Sequence, residues 1–65
     1  MEQINDFIEV TLSDNKHKMI VAKKLIEAVE DNKEGCILYA KLAGYRDAYF
    51  WIDESYDTIV SLLSK

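Results

Sequence analysis

The chain has 65 residues, 49% of them hydrophobic, 31% charged, with two glycines, no proline and a formal net charge of −4. A chain this short makes one domain at most, and its core is marginal without a staple. Its single cysteine, Cys36, excludes an internal disulfide, and one Cys with one His, His17, falls short of the four ligands of a structural zinc site.

A disordered chain would be poorer in apolar residues, so a folded domain is expected. The opening Met1-Glu2-Gln3-Ile4-Asn5-Asp6 lacks the basic and apolar regions of a signal peptide. Apolar runs such as 19–22 and 48–52 are far short of a bilayer span. With a lone free thiol, these features give a cytoplasmic expectation. The acidic balance argues against nucleic acid as the default ligand, because phosphate binding wants clustered Lys and Arg.

In chain order, the first half carries apolar residues at helical spacing. Ile8, Leu12, Met19, Ala22, Ile26 and Val29, with polar Asn15 in step, are spaced 4-3-4-3-4-3 when Asn15 is counted, and Ile4 and Leu25 flank the stripe. This predicts a first helix over about 2–32. The run Ser13–Lys18 contains poor helix formers, and Thr11 and Asp14 have capping-box spacing. The first helix is therefore either continuous and kinked, or split near Leu12. Glu30-Asp31-Asn32-Lys33-Glu34-Gly35 reads as a short connection, with Gly35 ending one helix and Asp31 or Asn32 capping the next.

The second half shows the stronger pattern. Leu38, Leu42, Tyr45, Tyr49, Ile52, Tyr56, Ile59 and Leu63 follow a 4-3-4-3-4-3-4 spacing, joined by Val60, and predict a second helix over about 35–64. Gly44 either breaks it or, with Ala40 and Ala48, forms a small-residue stripe that admits another backbone. Ile37, Trp51 and Leu62 lie beside that stripe, and Tyr39, Ala43 and Phe50 make a third face. A helix apolar on three faces is buried on three faces. The expected fold is thus all-α: one antiparallel helical hairpin that pairs with a second copy into a four-helix bundle. A monomeric three-helix bundle with one face left for a foreign partner is the rival.

Candidate sites for chemistry are sparse. Cys36 has no base beside it and reads as a packing thiol. Asp14 and His17 share a helical face in the predicted fold but lack the further carboxylates of a di-metal site, and read as a solvated turn. Asp53, Glu54 and Asp57 read as a polar flank, with no environment to separate their pKa values. No phosphate loop, hydrolase triad or calcium loop occurs. No enzyme activity, cofactor, metal, membrane or small-molecule substrate is expected.

Charge is unevenly spread. Lys16, Lys18, Lys23 and Lys24 make the middle of the first half basic, whereas Asp47 to Ser64 holds four acids and no base, together with Tyr49, Phe50, Trp51 and Tyr56. In the predicted bundle, Phe50, Trp51, Asp53, Glu54 and Asp57 form an edge that docks on a basic protein, aromatics serving as anchors.

The expected function is a non-catalytic interaction module, self-associating and acting as an inhibitor or adaptor of a basic, nucleic-acid-binding protein, of the kind phages and plasmids encode. No family is recognised in the residues; in length and expected hairpin architecture alone, without matching residues, the chain resembles Rop-like plasmid regulators, which dimerise into four-helix bundles. That resemblance implies the competing function, a nucleic-acid-binding regulator using the Lys16, Lys18, Lys23 and Lys24 face. A structural subunit of a larger assembly is the third.

Overall fold

A computed structural model describes residues 6–64. It is built mainly of β-strands. The order is β1 (Phe7–Thr11), β2 (Lys18–Ala22), a single turn of 3-10 helix (Lys23–Leu25), β3 (Ile26–Asn32), β4 (Gly35–Ala40), β5 (Tyr49–Ile52) and α1 (Tyr56–Leu63). β1 and β2 form an antiparallel hairpin, and β3, β4 and β5 an antiparallel three-stranded meander.

This overturns the helical hairpin and the four-helix bundle. The β1 segment Phe7-Ile8-Glu9-Val10-Thr11 alternates, with Ile8 and Val10 buried and Phe7 and Glu9 exposed. That is period two, the signature of a half-buried strand. Strands β4 and β5 are rich in aliphatic and aromatic residues, which fit a pleated surface. Polar segments at Ser13–His17 and at Lys33 and Glu34 supply the turns. Lys16 takes a left-handed φ of 63° in the first. In the second, Asn32 Oδ1 accepts from the Glu34 amide at 3.0 Å, and Gly35 opens β4 at φ 150°. Residues 2–5 at the start of the first expected helix, Ile4 included, lie outside the described residues.

Only the end of the second expected helix is helical. Ser55 caps α1, its hydroxyl accepting from the Thr58 amide at 3.2 Å, and Asp57 sits in the first turn where the helix dipole favours a negative charge.

One core lies between the sheets and the helix. Ile8 and Val10 from β1, Val21 from β2, Cys36, Leu38 and Ala40 from β4, Ile52 from β5 and Ile59 from α1 form a single buried cluster. Met19, Ile26, Val29, Phe50, Leu62 and Leu63 pack around it. Helix α1 lies against β3. The two sheets are stitched where β1 ends. Leu12 sits opposite Ile52, the Ser13 amide donates to the Trp51 carbonyl at 2.9 Å, and the Asp53 amide donates to the Thr11 carbonyl at 2.9 Å.

The predicted seam is dispersed. Leu38, Ile52 and Ile59 are core residues of three different elements, while Leu42 and Leu63 pack at the core's edge. Tyr45, Tyr49 and Tyr56 are exposed. Gly44 lies in the β4–β5 connection at φ 86°, so neither a helix break nor a small-residue helix stripe describes it.

Candidate functional site: an aromatic sheet face and its edge

Pairing places Ile37 opposite Trp51 and Tyr39 opposite Tyr49. Residues directly opposite one another share a face, so these four occupy the outer face of the meander, while Leu38, Phe50, Cys36 and Ile52 point to the core. Glu30 on β3 extends the outer face beside Ile37.

The face is partly ordered by its own contacts. The Tyr39 hydroxyl donates to Glu30 Oε1 at 2.8 Å, a bond that raises the phenol's pKa above its ordinary value, and the Tyr39 and Tyr49 rings lie 6.3 Å apart. Trp51 extends toward Gly35, where an added Cβ would meet its ring at 3.5 Å. Ile37, although on the outer face, is only 7% exposed. Trp51 and Tyr49 themselves remain 38% and 47% exposed. Next to them in the β4–β5 connection, Tyr45 stands edge-on to Phe50, with centroids 5.3 Å apart and planes at 80°, and is also exposed.

The residues expected to form a docking edge separate into three groups. Phe50 turns inward against the core while Trp51, its neighbour on β5, turns outward. Asp53 and Glu54 are engaged within the molecule. Asp53 accepts from the Ser13 hydroxyl and from Lys16 Nζ, both at 3.0 Å. The Lys16 bond, followed by the Ser13 bond, holds its carboxyl below the usual Asp range. Glu54 accepts from the Thr11 amide at 2.8 Å and from the Thr11 hydroxyl at 3.0 Å. Asp57 is exposed on α1.

The basic stretch is spread out as well. Lys16 is paired with Asp53 in the first turn, Lys18 opens β2, and Lys23 and Lys24 lie beyond its other end. The helical face that would have gathered them is not formed, and the architectural resemblance to Rop goes with it.

The remaining candidates have simple surroundings. Cys36 is 2% exposed, and burial, then the charges of Asp31 and Glu54, push its thiol pKa up. His17 is exposed beside the first turn, where its amide donates to Asn15 Oδ1 at 2.9 Å. No group of His, Cys, Asp and Glu among the described residues is placed to hold a metal ion, and no helix among them is long and apolar enough to cross a membrane.

Sequence reasoning missed the pairing of Ile37 and Tyr39 with Trp51 and Tyr49. The signal was present as alternation in the stretches Ile37-Leu38-Tyr39-Ala40 and Tyr49-Phe50-Trp51-Ile52, two runs of strand-favouring residues on either side of a Gly-containing turn. What this arrangement offers is binding chemistry: rigid aromatic area with polar tips, beside a strand edge. No known family model matches the chain, and no curated protein or solved structure matches it either.

Proposed function

We propose that the chain is a non-catalytic protein-binding module that docks on a basic protein through the outer face of the β3–β4–β5 meander. One observation carries the reading. Trp51 and Tyr49 lie side by side with Tyr39 on one sheet face and remain exposed there, on a molecule of net charge −4. Tyr and Trp offer large contact area at little entropic cost, which is why such residues anchor protein interfaces. The negative charge steers a basic partner toward them. Inhibition or recruitment of that partner follows from occupying its surface.

The test uses two baits, the native chain and a Tyr49→Ser/Trp51→Ser variant whose fold is checked by circular dichroism. Proteins from the source organism held by the first and lost by the second are purified and titrated directly. A basic protein that binds the native chain, and binds it more weakly as salt rises from about 0.05 M to about 0.5 M, supports the proposal. Identical capture by the two baits would sink it.

A further inference from the structure

The main chain of β5 has one satisfied side and one open side. In an antiparallel ladder, successive residues turn their N–H and C=O groups alternately to the two neighbours. The Ala40 amide donates to the Ala48 carbonyl at 2.9 Å, which sets the phase. Ala48, Phe50 and Ile52 therefore face β4, and Tyr49, Trp51 and Asp53 face the other way.

On that other side β1 reaches only part of the strand. Thr11 and the residues just after the strand supply the Asp53-to-Thr11 and Ser13-to-Trp51 bonds, and the chain then turns back. The turn is closed by the Lys16 amide donating to the Leu12 carbonyl and the Leu12 amide to the His17 carbonyl, each at 2.8 Å. The continuation that would have paired with Tyr49 is diverted into this turn. The Trp51 N–H and both main-chain groups of Tyr49 are left without a backbone partner among the described residues.

The same ladder is closed elsewhere by a side chain. The Thr11 amide, which also points into it, is taken by the Glu54 carboxylate. Natural sheets usually blunt or cover an open edge; here one end of the ladder is covered and the other is not.

Beside the open positions lies a recess of about 410 Å³. Asp14, Tyr45 and Asp47 are among its lining residues, together with Tyr49 and Trp51 of the strand itself. Neither Asp14 nor Asp47 forms an ion pair among the described residues, and Arg46 is the one base in the lining. We infer that this edge accepts an extended, lysine- or arginine-bearing segment of a partner protein as an added strand. Main-chain bonds to Tyr49 and Trp51 hold it, while its cationic side chains meet Asp14, Asp47 and the aromatic rings.

A second copy of this chain fits the edge poorly. It would set the same two acids against each other and bring net charge −4 to a surface of the same sign. The inference rests on the protein-binding reading and specifies its mode.

The probe is a short acetylated peptide of alternating lysine and valine, titrated against the intact chain. Trp51 is the only tryptophan, so its fluorescence reports binding, and amide hydrogen exchange reports pairing. Saturable binding is expected, with the Tyr49 and Trp51 amides gaining protection. Affinity should fall by at least about tenfold when glutamate replaces lysine in the peptide, and similarly in an Asp14→Lys/Asp47→Lys variant. Binding without protection of those two amides overturns strand addition while leaving the protein-binding reading intact. Lack of any binding up to about millimolar peptide, where an association worth roughly 4 kcal/mol would register, also overturns it. Protection that grows with protein concentration in the absence of peptide, together with a doubled mass, assigns the edge to a second copy and overturns the partner.

Discussion

Glu54 stands where a strand would otherwise continue. Its part-buried carboxylate takes both the amide and the hydroxyl of Thr11. Removing an acceptor from a part-buried amide costs about 1–3 kcal/mol, because the donor is left without a partner or water. Glu54→Ala should therefore lower stability by that amount in urea titrations. Glu54→Gln, which keeps one acceptor oxygen for the amide, should lose less. Equal losses for the two would show that the contact is not what holds β1 at this point.

Cys36 gives a second test at the same scale. Its thiol pKa is raised by burial and then by Asp31 and Glu54, so the folded state holds the proton more tightly than the unfolded chain does. Stability contributed this way is complete below the ordinary thiol pKa. It declines as pH rises through and beyond that value, because the unfolded chain then gains by ionising. Native protein should react with a thiol reagent only as fast as it unfolds, and urea midpoints should fall on the alkaline side. Rapid labelling of fully folded protein at neutral pH would contradict the burial of Cys36.

Among elements, β3 shows how a strand comes to carry helical spacing. The ladder pairs Ile26 with Ala40 and Val29 with Leu38, and the register shifts between Ile26 and Ala28. One residue is inserted, so two core-directed side chains on a strand end up three apart, a spacing that belongs to helices. The second-half seam has a different origin. Leu38, Leu42, Tyr45, Tyr49, Ile52, Tyr56, Ile59 and Leu63 run through two strands, a connection and a helix, and their spacing never acts on one surface.

Local alternation in Phe7–Thr11 and the turn residues at Asn15 and Gly35 were readable, and the apolar identity of the core positions Ile8, Leu38, Ile52 and Ile59 was too. The exposed face was not. Which side of β5 meets the core depends on pairing with Cys36 and Leu38 across a connection of eight residues, 41–48, information that no local period contains. At this scale Ser55→Ala should cost about 0.5–2 kcal/mol by removing the cap of α1. A shift in the thermal midpoint too small for that range would show that packing of Ile59 alone sets the helix end.

At the scale of the molecule, the apolar residues of the expected dimer seam are divided: Leu38, Ile52 and Ile59 are consumed internally, whereas Tyr45, Tyr49 and Tyr56 stay exposed on separate elements. Leu38 and Ile59 are fully buried and Ile52 is 2% exposed, whereas Tyr49 is 47% exposed. Self-association through a helical seam therefore has no surface to use. Light scattering at micromolar concentration should report the single-chain mass of 7.5 kDa. A small domain without disulfide or metal has roughly 3–5 kcal/mol of stability to lose. Leu38→Ala removes a buried side chain at the centre of the core, at a cost of about 2–5 kcal/mol, and should leave the chain largely unfolded at room temperature. Tyr49→Ala, on the outer face, should keep the native strand-rich circular dichroism and lose less than about 1 kcal/mol, in the ordinary range for an exposed substitution. The contrast separates core from surface within one spaced pattern. If Tyr49→Ala proves as damaging as Leu38→Ala, the outer face is structural and the docking surface proposed for it is lost; if only Leu38→Ala unfolds the chain, the exposed aromatics are free to be tested as anchors.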